Sequence, residues 1–119
     1  MSLKQTLEKF ISFYNDQKLD ELMEIYADDA VNDQTALRPI HGKEAIRKML
    51  QDQFGRLKAH CIIQNMVEQD NSVAMEWTDP SGFRACTVFY FKEGKIWIQR
   101  GYWDKITYCK YHNLDIPRE

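Results

Sequence analysis

Asn32-Asp33-Gln34 sets two amides and a carboxylate in a row, at what the pattern predicts is the tip of a short strand. Amides in that place can orient a ligand by hydrogen bonds, and the carboxylate can pass a proton to or from it. A second carboxylate, Asp104, ends the last run of alternating residues. Its position also suits the cap of a helix beginning near Lys105, where a side-chain oxygen satisfies free backbone N–H groups. His60 alternates with Ile62, which points it toward a cavity if the strand there is regular. None of the histidines and carboxylates has metal-ligand spacing, and there is no glycine-rich phosphate loop or nucleophile elbow. The chemistry left open is cofactor-free proton transfer, or binding with no reaction.

Such groups act only if a frame holds them together. Leu3, Leu7, Phe10, Ile11 and Tyr14 follow helical spacing, and Leu19, Leu22, Met23 and Tyr26 share one face of a second helix that stops at Asp28-Asp29. After the short strand, Pro39 and Gly42 lead into a third helix with Ile46, Met49 and Leu50 on its inner stripe. From Lys58 the period changes to two. Strands are predicted over Lys58–Glu68, Ser72–Thr78, Phe83–Phe91 and Ile96–Asp104. Asp70-Asn71, Asp79-Pro80-Ser81-Gly82 and Lys92-Glu93-Gly94-Lys95 supply the turns between them. A short helix over 105–112 follows, and Pro117 ends regular structure. Helices first and a strand meander second means α+β, with the helices on one face of the sheet. Along the last strand, regular alternation puts Ile96, Ile98, Arg100, Tyr102 and Asp104 on one face and Trp97, Gln99, Gly101 and Trp103 on the other, unless a bulge near Gly101 turns Asp104 inward.

The 119 residues are one domain's worth, 1–119. Apolar residues make up 44% of the chain and aromatics 13%, which argues against disorder. A net charge of −2 gives no electrostatic basis for binding nucleic acid or an anionic membrane. No apolar run reaches the length of a membrane span, and no signal peptide is visible. Cys61, Cys86 and Cys109 are an odd number without paired spacing, which fits reduced thiols and a cytoplasmic location. Trp77, Phe83, Phe89, Phe91, Trp97 and Trp103 are many large rings for a small core. They read either as a ring-lined pocket or as core and dimer-interface packing.

Tyr26-Ala27-Asp28-Asp29-Ala30, Pro39 to Arg47, Gly94-Lys95-Ile96 and Tyr102-Trp103-Asp104, in this order, resemble the SnoaL-like branch of the nuclear transport factor 2-like superfamily. The resemblance implies a cone-shaped α+β barrel: a curved antiparallel sheet wrapped around three N-terminal helices, with an apolar pocket and a homodimer formed through the sheet. It places His41 in a structural loop. It does not imply one activity, since ketosteroid isomerases, polyketide cyclases, epoxide hydrolase-like enzymes, dehydratases and non-catalytic binders share the fold. The isomerase set is incomplete here: Phe10 stands where the donor tyrosine belongs, Thr87 or Val88 where the protonated aspartate belongs, and Asp33 or Gln34 where the base belongs. Asp104 takes the place of the cyclase aspartate, but Val88–Tyr90 holds no histidine to match.

The catalytic candidates are therefore Asp104 and Asp33. Phe10, Tyr14, Tyr26, Gln34 and His60 are expected to line the pocket together with Trp77, Thr87, Phe89, Gln99 and Trp103. The function expected is cofactor-independent acid–base chemistry of the isomerase, cyclase or dehydratase type. Its substrate would be a compact apolar carbonyl or hydroxyl compound. The alternative is a non-catalytic module of the same fold that binds a small ligand or associates as a dimer. No metal or cofactor is expected.

Overall fold

The computed structural model describes residues 1–56 and 59–116. Helix α1 (Leu3–Asn15) starts at a capping box, in which the Ser2 hydroxyl accepts from Gln5 N–H at 3.1 Å and Gln5 returns its amide oxygen to Ser2 N–H at 2.9 Å. It buries Leu7, Phe10 and Ile11. Helix α2 (Leu19–Met23) is shorter than the predicted one, because Tyr26 belongs to strand β1 (Tyr26–Gln34). Strand β2 (Ile40–His41) pairs back on β1 and leads through Gly42, at φ +94°, into α3 (Lys43–Arg56). The meander follows as β3 (Ile62–Gln69), β4 (Ser72–Thr78), β5 (Arg84–Lys92) and β6 (Lys95–Tyr102), and the short α4 (Lys105–Tyr111) ends it. The predicted start of the third strand at Lys58 and the stop at Pro117 lie outside the described residues.

The six strands form one open, curved sheet in the order β2-β1-β6-β5-β4-β3. All neighbours are antiparallel except β1 and β6, which run parallel. That one parallel pairing brings the polar tip of β1 beside the end of β6. The helices pack on the concave face, and the core gathers Leu7, Phe10, Leu22, Tyr26, Ile46, Leu50, Val73, Met75, Phe89 and Ile96. Each such aliphatic or phenyl side chain contributes roughly 1.5–3 kcal/mol when fully buried. Among the described residues no helix is long and apolar enough to cross a membrane.

Two register shifts decide which residues reach the concave face. Ile96 pairs with Phe91 and Ile98 with Tyr90, so Trp97 is an extra residue in β6. On the other side Ile96 faces Tyr26 and Ile98 faces Val31, so β1 bulges over the same stretch, which contains Asp28-Asp29. The bulge therefore sits at Trp97 rather than near Gly101. It leaves Ile96 buried and turns Trp97 outward under the Lys92 ammonium, while Gln99, Gly101 and Trp103 stay on the inner side. Ile98, Arg100 and Tyr102 face out.

Candidate functional site

The inner face of the sheet, where β1, β5 and β6 meet beside α4, carries a connected set of uncharged polar groups. Gln34 Nε2 donates to Asn32 Oδ1 at 2.7 Å, and Trp103 Nε1 donates to Gln34 Oε1 at 2.8 Å. The Gln34 amide lies against Gly101, where a Cβ would fall 1.8 Å from its oxygen. Thr87, directly across from Gly101 in the β5–β6 pairing, accepts from Trp77 Nε1 at 3.0 Å. Deeper in, the Tyr26 hydroxyl donates to the amide oxygen of Gln99. Asn32, Thr87 and Tyr26 are buried, and among the described residues every buried side-chain polar atom has a partner.

The Tyr26 hydroxyl on this face stays uncharged near neutral pH. Burial pushes the Tyr26 hydroxyl well above the ordinary phenol range. Burial, helped by Cys61, pushes Tyr14 up to about 12 despite the hydrogen bond its hydroxyl accepts from Gln53 at 3.0 Å. Cys61 is likewise raised to about 12, first by burial and then by the charge of Asp79. Asn15 holds the Cys61 peptide at both its N–H and its carbonyl, at 2.7 and 2.9 Å, which ties the end of α1 to the entry of β3.

Aromatic rings close the mouth of this cup. Phe83, 2% exposed, meets Trp77, Trp103, Tyr108 and Tyr111 edge to face, with centroids 5.3–6.4 Å apart. Tyr108 also packs on Trp103 at 5.3 Å and stacks on His112 at 4.3 Å. His112 Nε2 in turn reaches Asp79 Oδ2 at 2.8 Å, while Asp79 Oδ1 accepts from Ser81 N–H at 2.9 Å. Helix α4 is thus a cover pinned to the Asp79–Phe83 turn.

That clasp has a pH limit. Burial works to raise the Asp79 carboxyl, but hydrogen bonds from the Ser81 hydroxyl, His112 and Ser81 N–H outweigh it, so its pKa lies below the ordinary value. A carboxyl depressed on folding contributes stability that is present above its unfolded pKa, about 3.9, and is lost as pH falls through the folded one. The Trp103–Tyr108 packing is therefore expected to persist through neutral pH and to loosen below about pH 4. Acid titration followed by tryptophan fluorescence checks this, with Asp79→Asn expected to remove that step.

The sequence candidates divide between two faces. Gln34, Thr87, Gln99, Trp77, Trp103 and Tyr26 come together in the cup. Phe10 and Phe89 lie in the core beneath it, edge to face at 5.9 Å, and Tyr14 is half-buried beside Phe54. Asp33 points to the outer face and pairs with Arg100 Nε at 3.1 Å. Asp104 is exposed and caps α4, accepting from Thr107 N–H at 2.8 Å. The Thr107 hydroxyl and N–H hold its carboxyl below the ordinary range. His60 is exposed ahead of β3. Gly101 and Tyr108 join the site without having been named as candidates, and Asn32 joins it from the strand tip already named. Asn32 alone carried a signal, since it is two residues from Gln34 and so shares its face.

Beside α4 the Gln34 amide and the rings of Trp77, Phe83, Trp103 and Tyr108 pack together on the inner face. An open groove of about 400 Å³ lies elsewhere, between Glu76, Arg84 and Cys86 on the sheet and Thr107 and Tyr111 on α4. Among the described residues no group of His, Cys, Asp or Glu side chains could hold a metal ion.

Residues 7–99 match the family model described as the SnoaL-like domain. No functionally curated protein matches the chain. Solved structures similar in fold include the following three. An NTF2-like protein of unknown function from Cytophaga hutchinsonii superposes with a TM-score of 0.78 at 13% identity, over 91% of this chain and 95% of that one. An uncharacterized cystatin fold protein from Novosphingobium aromaticivorans gives 0.75 at 24% identity, over 86% and 98%. An LEH-like epoxide hydrolase of M. tuberculosis gives 0.81 at 23% identity, over 90% and 86%.

Proposed function

Since this chain belongs to the SnoaL-like domain family, a family of varied chemistry, its role has to be argued from its own cup, and we propose that it binds a compact, neutral, ring-bearing molecule without transforming it. One observation carries this reading: among the described residues the inner face is a hydrogen-bonded row of amides, a hydroxyl and indoles without a carboxylate in it, while Asp33 and Asp104 are engaged outside it. Neutral donors and acceptors in an apolar wall fit a neutral ligand, because a buried charge without a counter-charge is costly to desolvate. Acid–base catalysis would need a carboxylate or imidazole within hydrogen-bond reach of the ligand. The polar row itself offers amides, and the nearby Asp79 and His112 lie in the cover, engaged with each other at 2.8 Å. The ligand enters by displacing α4, a seven-residue helix held mainly by rings.

Tryptophan-fluorescence titration with a panel of small neutral ring compounds tests the proposal. Asp33→Asn and Asp104→Asn are expected to keep wild-type affinity, and asparagine still caps α4. Trp103→Leu is expected to lose tenfold or more, since it deletes both a ring wall and an indole donor, with far-UV circular dichroism confirming its fold. Turnover of a bound compound that Asp104→Asn abolishes would instead establish the acid–base reading.

A second reading, self-association through the outer sheet face, is favoured by the exposure there of Val67 (57%), Tyr102 (47%) and Trp97 (38%). Sedimentation velocity of the wild type and Tyr102→Glu tests it. A dimer that the variant dissociates supports it, and a wild-type monomer overturns it.

A further inference from the structure

Resting on the reading of the cup as a site for a neutral ligand, we propose that its ligand carries a cis amide, a lactam or primary carboxamide, and that the Gln34 side chain is a built-in stand-in for it. The polarity of the site follows from one group. An indole N–H can only donate, so the atom facing Trp103 Nε1 must be an acceptor. That assigns oxygen to the near side of the Gln34 amide and nitrogen to the far side, and Asn32 must then present its own oxygen to that nitrogen. The cup therefore offers one donor to a C=O at 2.8 Å and one acceptor to an N–H at 2.7 Å, both on one planar group.

The floor is shaped for the same plane. A Cβ at Gly101 would lie 1.8 Å from Gln34 Oε1, 2.7 Å from Cδ and 3.1 Å from Nε2, so the whole amide rests on bare backbone. The two groups that grip it are fixed independently of it. Asn32 is 4% exposed and paired in register with Gln99 and Ile40, and Trp103 is wedged between Phe83 and Tyr108. Gln34 itself is the last residue of β1, half-buried, where the chain leaves the sheet into an exposed loop. Thr35 N–H donates to the Gly101 carbonyl at 2.9 Å and Leu37 N–H to the Gln34 carbonyl at 2.8 Å, so the amide leaves by turning about its own side-chain bonds. It leaves behind a buried acceptor and a donor that a planar amide satisfies together. A carboxylate would set oxygen against the Asn32 oxygen, and a ketone would leave that oxygen without a donor.

The test compares 2-piperidone, cyclohexanone and valerate on Gln34→Ala and on the wild-type chain. Readouts are melting temperature and the NMR signal of the Trp103 indole N–H. In Gln34→Ala, 2-piperidone is expected to restore the wild-type indole shift and to bind at least tenfold more tightly than cyclohexanone or valerate. The wild type should show the same order at lower affinity, because it must expel its own amide. This arm holds even if Gln34→Ala does not fold. Cyclohexanone or valerate binding as tightly as the lactam overturns the amide assignment and leaves the neutral cup standing. Failure of every neutral ring compound to bind either protein overturns both.

Discussion

Gly101→Ala is expected to destabilise the protein by about 1–3 kcal/mol, a large effect for one methyl group. Gly101 is in extended backbone with no positive φ, so the substitution brings no conformational strain. In an ordinary strand interior, alanine for glycine would even be favoured. The cost comes from the Gln34 amide, whose oxygen would lie 1.8 Å from the new carbon. The amide must leave, and it takes with it the partners of Asn32 Oδ1 and Trp103 Nε1. A buried acceptor left unmade costs more than the bond was worth when formed. Urea unfolding of Gly101→Ala, Gln34→Ala and the double variant isolates this coupling. The second substitution should cost little once the amide is gone, and equal cost in both backgrounds would show that Gly101 does not serve the amide.

Phe83→Ala is expected to cost about 3–5 kcal/mol, the usual range for emptying a buried phenyl site. Domains of this size are stable by about 5–15 kcal/mol in all, so the loss is a large share. Phe83 is the ring that Trp77, Trp103, Tyr108, Tyr111 and His112 share, and it joins the β4–β5 turn to α4. Its removal should therefore free α4 before the sheet unfolds. Tryptic cleavage at Lys105 and Lys110 is expected to accelerate, with loss of near-ultraviolet dichroism and retained strand signal in the far ultraviolet. A loss below about 1 kcal/mol with unchanged proteolysis would remove Phe83 as the hub.

Much of the frame was legible because its signals are local. Strand β4 spans Ser72–Thr78 as its alternation predicts, and Glu93-Gly94, with φ of 54° and 77°, makes the tight hairpin its residue types predict. Gly42 before α3 was equally plain. Tyr26 misled because it stands four residues after Leu22, a spacing that a helix shares with chance. Burial against Phe10 and Ile96 places it in β1 instead. The face shown by Asp33 or Gln34 was undecidable from alternation, which says only that neighbours point oppositely.

By itself the sequence determined the order of helices and strands, the turns between them and the family. Each of these rests on residues close together in the chain, whose propensities and spacing act without reference to distant partners. Only the tertiary structure decided what the cup contains. The extra residue at Trp97, set within the β5–β6 hairpin, and the matching bulge in β1, set by pairing with residues some seventy positions away, reset the alternation of two strands at once. Those shifts turn Gln34 and Gln99 inward, leave Asp33 to Arg100 on the outer face, and leave Asp104 to cap α4. The inner face there carries amides, because the β1–β6 register joins segments that no local pattern relates.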